Sequence, residues 1–205
     1  MTTAIELVIA AEPDAWRAVG FEVGDDGTCV LGDIGVRLNG GSGGRTAWVL
    51  ADAPDPAVID IDGLATAHGA IAHLGAAPAH PNGVSSIDHV VVYTPDLERT
   101  CAAIEAATAA PLKRIREAGS IRQGFHRLGS LIVEVVSYPG VTSERAEFWG
   151  LALNADDLDA LYARCGDAAM SVPKDAVQPG RRIASFREAA GLGLPVAVMT
   201  PHVRR

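Results

Sequence analysis

Apolar runs of strand length recur along the chain, and several pass directly into the three-to-four spacing of a helix. The run IDHVVVY, 87–93, is β-branched and ends at TPDLERT, which reads as a helix start. Thr94 suits the N-cap, Pro95 the first helical position, and the acids Asp96 and Glu98 the first turn. LERTCAAIEAATAA continues as an alanine-rich helix until Pro111. LKRIREA, IRQGFHRLG and SLIVEVVSY follow as three strands separated by glycine-containing turns. The order is β-α-β-β-β.

The pattern then recurs. FWGLALN predicts a strand, ADDLDALYARCG a helix, and RRIASFREA and LPVAVMTP two strands. VVYTPDLE lies over LALNADDLD, and EVVSYP over VAVMTP. A third, shorter copy opens the chain: AIELVIAA as a strand, EPDAWRAVG as a brief helix, then short strands in FEV, TCVLG, IGVRLNG and RTAWVLAD, with GGSGG as a flexible turn. CVLGDIGVRL lies over FHRLGSLIVEV. The domain reading is a degenerate module over 1–50, a linker with one short helix over 51–84, rich in Ala, Pro and Gly, and a two-module domain over 85–205.

Composition narrows the function. Of 205 residues, 48% are hydrophobic and 20% charged, enough apolar content to bury a core. The formal net charge of −8 points away from a general nucleic-acid or anionic-membrane binder. Three widely spaced cysteines, with no CxxC, indicate neither a disulfide framework nor a thiolate zinc site, and a reducing cytoplasm is the expected location. The opening MTTAIELVIAAEPDAW lacks a basic segment and its apolar run is too short for a signal peptide. No membrane-spanning run is expected.

Two β-α-β-β-β modules, the first opening with IDHVVVYTPDLE and closing with LIVEVV, resemble the vicinal oxygen chelate superfamily over residues 85–205. That group holds glyoxalases, extradiol dioxygenases and bleomycin-resistance proteins. The resemblance implies an α+β fold in which paired modules form a curved, cup-shaped mixed sheet. It implies a divalent metal (Zn, Fe, Mn or Ni) held by first-strand and last-strand ligands. Those positions fall on His89 and Glu134 here. In the second module they fall on Gly150 and Val196, which bind no metal, so a metal is expected to be weak or absent. His126, on the preceding strand, is a candidate third ligand. In the N-terminal copy Glu6 and Arg37 take the two places and read as an ion pair.

Strand alternation independently puts His89 with Ile87, Val91 and Tyr93, and Glu134 with Ile132 and Val136. A carboxylate in so apolar a run needs a partner, and His89 is the natural one. The pair serves as metal ligands, as metal-free acid–base groups, or as a plain buried hydrogen bond. Arg122 joins Glu134 and His89 as a catalytic candidate, stabilising an oxyanion. A second feature is KDAVQPGRRIASFRE, in which Lys174, Gln178, Arg181 and Arg182 cluster; with Gln123 and Trp149 they are candidates for gripping an anionic small molecule. The plainer alternative is surface cations paired with neighbouring acids. Two functions stand open: an enzyme of the glyoxalase-like lyase, isomerase or dioxygenase type acting on an oxygenated anionic metabolite, and a metal-free binding or sequestration protein. The expected partner is a small molecule, with a homodimer left open.

Overall fold

A computed structural model describes residues 1–41, 46–71 and 77–201. The class is α+β, with mixed β-sheets and few helices, as expected. The first copy runs β1 (Thr3–Ile9), α1 (Pro13–Ala18), β2 (Thr28–Leu31), β3 (Ile34–Leu38) and β4 (Ala47–Ala51). A hairpin follows, β5 (Asp60–Ile61) and β6 (Leu64–His68). The first full module is β7 (Val84–Tyr93), α2 (Leu97–Thr108), β8 (Arg114–Ala118), β9 (Ile121–Leu128) and β10 (Leu131–Ser137). The second is β11 (Glu147–Ala155), α3 (Leu158–Cys165), β12 (Lys174–Asp175), β13 (Arg182–Ser185) and β14 (Val196–Met199). Part of the expected glycine turn, 42–45, lies outside the described residues. Among the described residues no helix is long and apolar enough to cross a membrane.

The chain forms two compact units, Met1–Val8 with Arg45–His73 and His89–Trp149, and Ile9–Gly44 with Leu74–Asp88 and Gly150–Arg205. In the first unit β10 lies between β7, to which it is parallel, and β9, to which it is antiparallel; β8 pairs beyond β9. Helix α2 packs on one face of these strands. That face is the core: Val90, Val92, Leu128, Val133 and Val135 are buried, as are Leu97, Cys101 and Ile104 of the helix. The helix is capped two residues later than its sequence suggests. Asp96, not Thr94, is the N-cap and accepts from the Arg99 amide at 2.9 Å. The Thr94 hydroxyl instead accepts from the Asp96 amide and pairs with Thr100 at 2.7 Å, holding the turn ahead of the helix.

The same unit contains β1, antiparallel to β4, and β4 in turn parallel to β6. Where a linker with a helix was expected, the described residues of 51–84 hold the β5–β6 hairpin and no helix. Its turn is Asp62-Gly63, with φ of 51° and 105°. Asp-Gly suits a type I′ hairpin turn, in which both central residues need positive φ. First strand parallel to last strand, last strand antiparallel to the one before, is the pairing of β7, β9 and β10. The segment β4-β5-β6 repeats it without a helix.

The second unit has β11 parallel to β14, with β13 and β12 following antiparallel. Its α3 starts at Asp157, whose carboxylate accepts from the amides of Asp159 and Ala160. The β2–β3 hairpin and α1 belong here. Trp16 of α1 is fully buried, its indole donating to the Leu192 carbonyl at 3.3 Å and its ring packed on Phe21. Glu6 stands opposite Val49 on β4, and Arg37 opposite Thr28 on β2.

Candidate functional site

Cross-strand partners share a face of a sheet, so the register of β7 to β10 decides which side chains can meet. Val91 pairs with Glu134, Glu134 with Phe125, and Phe125 with Arg114. The next row reads Tyr93, Val136, Gln123, Arg116, and the row on the other side His89, Ile132, Arg127. All of these lie opposite the face that α2 covers. One polar cluster forms there. His89 Nε2 lies 3.0 Å from Glu134 Oε2, the two side chains 15% and 12% exposed. The Gln123 amide donates to the other Glu134 oxygen. The carboxylate thus has a partner on each oxygen in a partly buried place, as the desolvation of an ionised group requires.

Aromatic rings border the cluster. Tyr93 stacks on Trp149, centroids 4.7 Å apart and planes 19° apart, and meets Tyr138 edge-on at 5.4 Å. Burial first, then Tyr138 and Glu134, push the Tyr93 phenol above its ordinary pKa, so it keeps its proton through the neutral range. On the far side the Arg114 guanidinium lies 4.5 Å over the Phe125 ring, a cation–π contact. Arg114 and Arg116 are exposed cations on the Glu134 face, and the sequence reading passed over both. Tyr93 and Tyr138 were likewise passed over.

Two residues expected beside Glu134 are elsewhere. His126 pairs with Val133 and so faces α2; it is 1% exposed, with Nδ1 2.9 Å from the Ala110 carbonyl. Its Nε2 is buried without a partner. Arg122 also lies off the Glu134 face, in ion pairs with Glu98 at 2.7 Å and Glu117 at 3.3 Å. The reason is the two-residue turn Gly129-Ser130. It sets Leu128 opposite Leu131, which puts odd-numbered residues of β9 with Glu134 and even-numbered ones behind.

The cationic stretch of the second unit divides. Arg181 turns inward, 3% exposed, donating to the Thr200 carbonyl, Gln178, Asn154 and Asp88, the last at 2.8 Å. Arg182 turns outward into a two-pronged pair with Asp159, at 2.6 and 2.9 Å. Lys174 is exposed on β12 opposite Ile183. Arg181 is thus committed to internal partners, and Gln178 to Arg181.

The second module's ligand-like places also need one correction. The helix caps Asp96 and Asp157 align the modules, so Val91 corresponds to Ala152. Ala152 pairs with Ala197, as Val91 pairs with Glu134. The counterpart of Glu134 is therefore Ala197, not Val196; Gly150 remains the counterpart of His89. Neither carries a donor atom. Among the described residues no group of three or more His, Cys, Asp or Glu could hold a metal. A catalytic divalent ion is commonly held by about three protein ligands; His89 and Glu134 supply two, with the Gln123 amide beside them.

No protein-family model and no curated protein matches the chain. Among solved structures, methylmalonyl-CoA epimerase from Mycobacterium tuberculosis superposes with a TM-score of 0.49 at 15% identity, covering 59% of this chain and 91% of that one. A hypothetical protein from Bacillus halodurans gives 0.49 at 10%, covering 58% and 96%. A Streptomyces coelicolor methylmalonyl-CoA epimerase in complex with 2-nitronate-propionyl-CoA gives 0.47 at 16%, covering 58% and 96%.

Proposed function

We propose that this protein is an enzyme that moves a proton on a small, oxygenated, anionic metabolite bound on the His89–Glu134 face. The observation that carries the reading is the three-residue chain Gln123–Glu134–His89 on the sheet face opposite α2. Both Glu134 oxygens are engaged, so the carboxylate suits the role of orienting partner better than that of base. With His89 Nε2–H donating to Glu134, the imidazole lone pair sits on Nδ1, a tautomer set by the hydrogen-bond pattern.

The step is then simple. His89 removes the proton from the carbon beside the substrate carbonyl. The C–H electron pair moves into the enolate, and the negative charge settles on oxygen. Glu134 stabilises the imidazolium that forms. The protonated Tyr93 phenol donates to the new oxyanion, and Arg114 or Arg116 holds the substrate's own anionic group. Returning the proton to the original face exchanges the hydrogen with solvent without net change, and delivery to the opposite face epimerises the carbon. No step is routed through a metal.

The test is deuterium wash-in from solvent at the carbon next to the carbonyl, read by NMR over a panel of 2-oxo acids, 2-hydroxy acids and malonate half-esters. His89→Gln and Glu134→Gln should each slow exchange by about 10²–10⁴-fold, the usual worth of a positioned acid or base. Exchange at the parent rate in His89→Gln would overturn the reading. A second reading, capture of the ligand without turnover, draws on the same engaged carboxylate. It predicts tight binding from the panel with no exchange at all.

A further inference from the structure

Trp149 is 41% exposed, whereas Trp16 and Trp48 are 0% exposed. It is not left alone. One side of the indole lies on Tyr93, nearly parallel, and Tyr93 is braced by Tyr138 and lies close enough to Glu134 for that carboxylate to shift its phenol. A flat, exposed ring held parallel to another ring beside a polar cluster is a stacking platform. Aromatic rings prefer a further offset ring to water. The cations lie at the other end of the same face. Arg116 is in the Tyr93 row, separated from it by β10 and β9; three strand spacings of about 4.8 Å place it about 14 Å away along the sheet.

We infer that the ligand of this face carries a planar ring that lies on Trp149 and, on an arm several atoms long, an anionic group that meets Arg116. The inference rests on the proposed site and names its substrate class: an aryl-bearing acid whose reactive oxygenated carbon lies between ring and anion, over Glu134 and His89. The spacing excludes a carboxylate attached directly to the ring. It also excludes a purely aliphatic acid as the preferred ligand, which would leave the platform wet.

The probe is 4-(1-naphthyl)butanoate. Two controls are 4-(1-naphthyl)butanol, with the same ring and no charge, and 4-cyclohexylbutanoate, with the same charge and no flat ring. Because Trp16 and Trp48 are buried, acrylamide quenching of the parent protein reports on Trp149. The probe should protect that fluorescence, and both controls should bind about tenfold more weakly by calorimetry, the worth of one stacking or charged contact. Trp149→Ala and Arg116→Ala should each raise the probe Kd about tenfold, while Trp149→Phe stays within about threefold, since phenylalanine keeps the ring. Equal binding of probe and cyclohexyl control, or an unchanged Kd in Trp149→Ala, would overturn the inference. The two readings fail separately. Probe protection can be lost while His89→Gln still abolishes exchange, or can persist while His89→Gln leaves exchange intact.

Discussion

A histidine buried with one nitrogen unpartnered sets a pH limit on the fold. Desolvation holds the His126 pKa below its ordinary value, against smaller opposing pulls from the Ala110 carbonyl and Glu105. The unfolded chain, with a histidine near about 6.5, binds a proton that the folded chain resists. Stability should therefore be constant in this group above about pH 6.5 and fall as the pH drops below it. Urea midpoints at pH 8 and pH 5 measure the loss. His126→Leu should shrink the difference between the two, at the cost of the Ala110 contact, about 0.5–1.5 kcal/mol. An unchanged pH 8-to-5 difference in that variant would show that other groups govern the acid limb. The same geometry explains why His126 is not the third member of the His89–Glu134 cluster: it stands behind the sheet that Glu134 fronts.

At the scale of elements, short turns decide more than the strands they join. Gly129-Ser130 and Gly119-Ser120 are both two-residue connections, with φ of 68° and 61° at their glycines. Counting back through them puts Gln123, Phe125, Arg114 and Arg116 with Glu134. That register was legible in RLGSL and EAGSI, and treating the turns as undefined breaks is what put Arg122 and His126 on the wrong side. Asp62-Gly63 was equally legible as a hairpin and was obscured by the alanines around it. Gly63, at φ 105°, lies where an L side chain is strained, and its added Cβ would press on Arg145 and Ala146. Gly63→Ala should destabilise the chain by about 1–3 kcal/mol, read as a lower denaturant midpoint at unchanged slope. Gly119→Ala is the control: its φ is also positive, but nothing lies within 4 Å of its Cβ position, so its loss should be smaller.

At the scale of the whole molecule, the pairing of first strand parallel to last recurs in β7/β10, β11/β14 and β4/β6, yet the chemistry does not recur with it. Glu134 answers to Ala197, and His89 to Gly150. A fold built from copies needs each copy's apolar face but not each copy's polar residues. With only His89 and Glu134 as strong donors in the cluster on the Glu134 face, purified protein should hold well under one equivalent of Zn, Fe, Mn or Ni after dialysis against a chelator, and deuterium exchange should survive that dialysis. Stoichiometric metal by elemental analysis, with exchange lost on its removal, would contradict the proton-transfer route drawn here.

The sequence by itself determined the β-α-β-β-β order of β7 to β10 and most of the second module, because β-branched runs, helix-start residues and glycine turns act within a few residues of one another; the β5–β6 hairpin and β12 went unread. It also determined that Glu134 needed a partner, since a carboxylate in LIVEVV has no other way to be desolvated, and alternation made His89 the candidate. Tertiary structure alone decided which face α2 would cover, and with it the burial of His126. It alone separated Arg181 from Arg182, one turned inward to Asp88 and Asn154 and the other outward to Asp159. The physical reason is one of range. A side chain's direction follows from its own backbone, but what it meets depends on strands and helices tens of residues away, and packing, not local preference, chooses among them.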